Sequence, residues 1–169
     1  MKTLKTLALT LVLAFCTVLA DARPASNNSI DKIINAYLDV KNALISGDGN
    51  VVKTKAKDLL TALSAKPDAN LTAAQQKILA KYQEKLLFDS RHMSETTEID
   101  HQREHFASLS KNMYEVVKGI KMNTAPIYEQ YCPMKKAYWL SESDQIKNPY
   151  FGNKMLTCGK VTETLAPVK

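Results

Sequence analysis

Between residues 29 and 121 apolar side chains recur at helical spacing in four successive stretches, and each stretch is closed by residues that stop helices. Ser29 offers a side-chain oxygen to cap the first, in which Ile30, Ile33, Ile34, Tyr37, Leu38, Leu44 and Ile45 share a face. Ser46-Gly47-Asp48-Gly49 ends it, because two glycines and an aspartate suit a turn that reverses direction. The second runs from about Asn50 to Ser64, with Val52, Ala56, Leu59, Leu60 and Leu63 opposite a lysine-rich face, and Lys66-Pro67-Asp68 stops it. Thr72-Ala73-Ala74-Gln75 has the form of a capping box ahead of a third stripe made by Ala74, Ile78, Tyr82 and Leu86, out to about Ser90. Between Arg91 and Thr97 the pattern weakens, which predicts a break there. Ile99, Phe106, Leu109, Met113, Val116 and Ile120 then form the fourth apolar face.

Four amphipathic helices with short connections predict an all-α fold, an antiparallel four-helix bundle over about residues 29–121. Beyond Lys121 the character changes. Pro126, Pro133 and Pro149 interrupt any long helix, while Tyr128, Tyr131, Tyr138, Trp139, Tyr150 and Phe151 supply most of the aromatic mass. The expectation for residues 122–169 is an irregular, aromatic-rich tail packed on the bundle, anchored by Tyr138 and Trp139.

The N-terminus predicts export. Lys2 and Lys5 precede an apolar run from Leu7 to Leu19, and Ala20 and Ala22 fit an A-x-A cleavage site before Arg23. The expected organisation is a signal peptide at 1–22, a loose polar leader at 23–28 and one helical domain at 29–169, with no integral membrane segment left after processing. The run is too short to span a bilayer, and lipidation through Cys16 is disfavoured because Phe15 precedes it. The expected location is the periplasm or the exterior. The chain carries a formal charge of +6, with acids and bases mixed through every segment, so no nucleic-acid partner is expected.

Two short clusters stand out chemically. Cys132-Pro133-Met134 and Met155-Leu156-Thr157-Cys158 each place a thioether close to a thiol, and sulfur donors of both kinds select Cu(I) over harder ions. His101 and His105 stand four apart, so on a helix they project from one face about a turn from each other. His105 borders Leu109 and Met113 along the same row, a position from which it would point into the bundle where the tail packs. His92 and Met93 fall in the expected break and make weaker candidates. Each group also has a plainer reading. The two cysteines would form a disulfide in an oxidising compartment, Met134 and Met155 would pack against aromatics, Met113 would be core, and the histidines would be solvated. No nucleophile elbow, phosphate-binding glycine loop or H-E-x-x-H motif is present, so no enzymatic activity is expected.

Several motifs together resemble a known family. Tyr131-Cys132-Pro133-Met134, Trp139-Leu140-Ser141, Asn148-Pro149-Tyr150-Phe151-Gly152 and Met155-Leu156-Thr157-Cys158-Gly159, with Gln102-Arg103-Glu104-His105-Phe106 and Ser108-Leu109-Ser110 upstream, are similar to the domain-of-unknown-function family 3347. That family occurs in exported Bacteroidota proteins and as an appendage on periplasmic adaptors of heavy-metal efflux pumps. The resemblance implies a stand-alone periplasmic helical domain concerned with copper or silver, its metal-facing residues Cys132, Met134, Met155 and Cys158, with His105 the best histidine and His101 the weakest. It also implies an efflux adaptor or another envelope protein as partner. The leading expectation is a protein that sequesters or transfers Cu(I) or Ag(I). Its rivals are an interaction module pinned by a Cys132–Cys158 disulfide, and a structural zinc site made by Cys132, Cys158, His101 and His105.

Overall fold

A computed structural model describes residues 28–168, so the expected signal peptide, its cleavage residues Ala20 and Ala22, and Cys16 lie outside the described residues. Four helices make up most of the fold: α1 (Ser29–Ser46), α2 (Gly49–Ser64), α3 (Ala73–Glu95) and α4 (Ile99–Ile120). Their ends follow local chemistry, with two adjustments. Asn28, not Ser29, caps α1; its Oδ1 accepts from the backbone N–H groups of Ile30 and Asp31. Ser29 is already helical, and its hydroxyl accepts instead from the Asp68 N–H at 3.2 Å. Gly47 takes the left-handed conformation that ends α1, with φ 77°. Asp48 then caps α2 directly, so the expected turn is only two residues long. The Thr72–Gln75 capping box is present at the head of α3.

The expected break at 91–97 is mostly helix. α3 continues through Glu95, and the turn to α4 occupies only Thr96 to Glu98. The stripe expected on α3 is also displaced: Ala74 is exposed and Ile78 and Tyr82 are partly covered, while Leu79, Leu86, Asp89, Ser90, Met93 and Ser94 are buried. Polar side chains occupy half of that buried face, which is why apolar periodicity misplaced it. On α4 Phe106, Leu109, Met113, Val116 and Ile120 are buried as the spacing predicts.

The tail corrects the all-α expectation. It folds as β1 (Ile127–Cys132), β2 (Ala137–Ser141) and β3 (Lys160–Leu165), with a short 3-10 turn, η1 (Gly152–Lys154), before β3. The sheet is antiparallel in the order β2-β1-β3, and β1 carries a bulge at Glu129/Gln130. Each helix packs chiefly on the next in sequence, and α4 meets β2 more extensively than it meets α1. The sheet therefore closes the side of the bundle that an α1–α4 contact would otherwise close.

Aromatic rings make that closure. Tyr37 stacks on Phe106, Phe106 meets Tyr150, and Tyr150 meets Trp139 edge-on, with centroid separations of 5.4, 5.8 and 6.0 Å. The Tyr37 hydroxyl pairs with Ser110 Oγ at 2.7 Å and accepts from the Leu140 N–H at 3.0 Å, so α1, α4 and β2 meet at one oxygen. Burial pushes the Tyr37 hydroxyl well above its ordinary pKa, the bonds to Ser110 and Leu140 opposing it, and it stays protonated. Trp139 is the buried anchor expected of it, but Tyr138 is 45% exposed and lies against Tyr131 on the outer face.

Candidate metal centre

Extending α3 by more than a turn brings His92 into play. It lies near the end of α3, while His101 and His105 occupy the first turns of α4, and the tight turn at 96–98 folds one helix end onto the other. Two features hold this corner. Gly49 stands so close to the turn that a Cβ there would fall 1.9 Å from the Thr97 carbonyl oxygen, so no larger residue fits. Gln102, fully buried, directs its amide Nε2 at the carbonyls of Gly49, Met93 and Thr96 at 3.0, 3.2 and 2.8 Å, joining the starts of α2 and α4 to the end of α3.

The three imidazoles converge on this scaffold. One ring nitrogen from each of His92, His101 and His105 lies within 4.8 Å of the other two. His92 and His105 are stacked at 4.8 Å, and His101 stands edge-on to His105 at the same separation. Nitrogens on one tetrahedral ion, each bonded at about 2.0–2.1 Å, would stand about 3.3 Å apart. Small side-chain rotations would close the remaining gap.

His105 Nδ1 lies 3.0 Å from Asp89 Oδ1 on α3, an aspartate only 3% exposed whose other oxygen, Oδ2, has no hydrogen-bond partner. This bond leaves His105 Nε2 available and orients the ring, the arrangement by which carboxylates support metal-binding histidines. A cation held on the far side of His105 would lie one ring away from this buried carboxylate. His101 has Glu104 at 3.9 Å from its Nδ1. Phe88, one turn before His92, lies 4.3 Å from the His92 ring and is 54% exposed.

The tail residues form a separate cluster. Cys132 is fully buried, and its sulfur accepts from Asn148 Nδ2 at 3.1 Å and from the Lys135 N–H at 3.4 Å. The same Asn148 nitrogen donates to the Cys158 carbonyl at 2.7 Å. The two cysteines are free thiols side by side; burial, and then the neighbouring Cys132 sulfur to which the Cys158 thiol hydrogen-bonds, push the Cys158 thiol above its ordinary pKa. Met134 and Met155 are 63% and 40% exposed.

The cysteines do not join the histidines in one group among the described residues. His105, expected to point toward the packed tail, faces Asp89 of α3 instead. Arg103, two residues before it on α4, does face the tail, and its Nε donates to the Pro149 carbonyl at 3.0 Å. Two positions along a helix turn the side chain by about 200°, so His105 and Arg103 stand on nearly opposite faces. His92, the third histidine of the group, fell in the expected break and was the weaker candidate in the sequence. A helical reading of 91–95 would have set it opposite His101 and His105. A cavity of about 590 Å³ between α1 and the segments 123–127 and 142–147 carries no histidine or cysteine in its lining.

The family model that matches covers residues 33–125, more than half of the chain, and its description is a protein of unknown function, DUF3347. The chain belongs to this family. The matched interval takes in most of α1, all of α2, α3 and α4, and with them the three histidines and Asp89, whereas the thiol cluster lies beyond it. No curated protein and no solved structure is detectably similar to the chain.

Proposed function

We propose that the protein binds a copper ion through His92, His101 and His105, holding it or passing it on in the cell envelope without catalysing a reaction. The observation that carries this reading is the convergence of three ring nitrogens, one of them backed by a buried aspartate. Imidazole suits copper and zinc, and Cu(II) heads the affinity order of divalent ions for such donors, so copper is favoured over zinc and silver is a poor fit to this set. The envelope location rests on the N-terminal pattern of Lys2, Lys5, the Leu7–Leu19 run and Ala20-x-Ala22. An efflux adaptor remains the proposed kind of partner. No helix of the described residues is long and apolar enough to cross a membrane.

A second reading keeps Cu(I) or Ag(I) on the tail thiols. It is favoured by the two free thiols lying side by side, with two N–H donors aimed at the Cys132 sulfur. The half-exposed Met155 and the exposed Met134 are its thioether donors.

Equilibrium dialysis of the purified, metal-free chain against Cu(II) and Zn(II) tests the first reading. About one Cu(II) per chain is expected, held more tightly than Zn(II), and lost on replacing His92 and His105 together with Ala but retained on replacing both cysteines with Ser. Equal Cu(II) affinity with and without the histidines defeats it. Titration with Cu(I) under reducing, oxygen-free conditions tests the second, which requires the opposite dependence.

A further inference from the structure

The three histidines leave any ion they hold short of donors on one side. Cu(II) and Zn(II) take four or more. Among the described residues no Cys, Asp or Glu atom completes the group of three nitrogens. Asp89 stands outside that group, its Oδ1 3.0 Å from His105 Nδ1. On the side toward Asp89 the His105 side chain is only 17% exposed. The outer side is open: the His101 side chain is 49% exposed and Phe88, tilted against the His92 ring, is 54% exposed.

We infer that an ion on His92, His101 and His105 keeps one coordination position open to solvent beside Phe88, and that this position is where an imidazole of an acceptor protein enters to take the ion. The inference rests on the metal-binding reading above and adds the route of release. At a site closed by four protein ligands, a ligand must leave before another can bind. Here the incoming nitrogen displaces only water, forms its bond while all three histidines are still attached, and the histidines then detach in turn as the acceptor's further nitrogens replace them. No electrons are transferred, and each metal–nitrogen bond broken is matched by one formed. The acceptor is thus a protein segment with two or more histidines that can reach an exposed helix corner. Phe88, half exposed and 4.3 Å from the His92 ring, narrows the approach.

The test uses the full chain loaded with one Cu(II). Free imidazole should shift the visible copper band and the electron paramagnetic spectrum while the ion stays on the protein through gel filtration. Transfer to a synthetic peptide carrying three histidines should proceed at a rate that rises linearly with peptide concentration. Phe88→Ala should speed transfer several-fold at unchanged stoichiometry. A spectrum unmoved by imidazole up to the concentration that strips the ion, a transfer rate independent of peptide concentration, or a transfer rate unchanged in Phe88→Ala would each overturn the inference. Failure of the chain to take up Cu(II) before any imidazole is added would instead defeat the metal-binding reading itself.

Discussion

The histidine corner and the thiol corner are built from opposite kinds of sequence information. His92, His101 and His105 span fourteen residues of one helix–turn–helix, and everything that aims them, from Asp89 to Gln102, lies in the same stretch or, in Gly49, against its turn. Cys132 and Cys158 are brought together only because a hairpin, a long loop wrapped on Asn148 and a third strand all find their places on α1 and α4. A local site can survive changes in the rest of the fold; a site closed by distant contacts fails with them.

The largest effect expected from that difference comes from Trp139→Ala. Trp139 is 1% exposed at the junction of sheet and bundle, and removing so large a buried ring costs about 3–5 kcal/mol. Denaturant unfolding should show a loss of that size. Below the lowered melting temperature Cu(II) uptake at the histidines should keep its stoichiometry, while the two thiols should become more reactive toward a disulfide reagent. If Cu(II) uptake falls in step with stability, the histidine corner depends on the sheet and the contrast collapses.

Asp89→Asn sharpens the same contrast from the other side. Loss of a carboxylate that orients a ligating imidazole weakens metal binding by about 10–100-fold. The expected result is a Cu(II) affinity reduced within that range with the histidines intact, whereas Cys158→Ser leaves Cu(II) unaffected. An Asp89→Asn variant that binds Cu(II) like the unaltered chain would show that the His105–Asp89 bond serves packing alone.

These contrasts also explain what could be read in advance. On α1 the spacing of Ile30, Ile33, Ile34, Tyr37, Leu38 and Leu44 identified a buried face, with Ile45 at its end only partly covered, because a helix against a bundle has one apolar stripe and little else to encode. The strands were illegible for a physical reason. The bulge at Glu129/Gln130 breaks the alternation of β1, β2 buries Trp139, Leu140 and Ser141 in succession, and β3 is largely exposed and presents no apolar face. No strand carries apolar alternation along its full length. His92 was obscured because the last turns of α3 bury Asp89, Ser90 and Ser94, whose polarity imitates a loop. The separation of the cysteines from the histidines followed from the facing of α4, which spacing alone left open.

Acid should loosen the tail before it unfolds the helices. Lys41 on α1, almost wholly buried, meets Glu142 just after β2 at 2.7 Å, and Asn42 donates to the same carboxylate at 3.0 Å. Burial by itself raises the pKa of Glu142, but the Lys41 charge and the hydrogen bonds from Asn42, Lys41 and its own backbone outweigh it and hold the carboxyl at about 2. A carboxylate whose pKa is depressed on folding adds stability above its unfolded value near 4.5, and that stability is lost as pH falls toward 2. Because the Glu142 side chain remains 31% exposed, solvent screening reduces the contribution to about 2 kcal/mol. The difference in unfolding free energy between the unaltered chain and Glu142→Gln should therefore be constant above pH 5 and shrink between about pH 4.5 and 2. A difference that does not change with pH would show that the Lys41–Glu142 pair makes no net contribution.

The smallest expected effect separates local from distant bonding within single residues. Thr72 and Asn28 both cap helices, and replacing either cap with Ala costs about 1 kcal/mol through the lost bond to the first turn. Thr72 works only with its neighbour Gln75. Asn28 does more, since its Nδ2 also donates to the Met122 carbonyl at 3.1 Å, joining the head of α1 to the chain leaving α4. A net contribution of about 0.5–1.5 kcal/mol is typical for one such bond. Asn28→Ala should thus destabilise the fold more than Thr72→Ala by that margin, and Asn28→Ser, which keeps the cap oxygen but cannot span to Met122, should recover only the cap. Denaturant midpoints measured for the three variants at one temperature decide it. Equal losses in Asn28→Ala and Thr72→Ala would mean that the bond to Met122 contributes nothing and that the junction of bundle and tail is held by its rings alone.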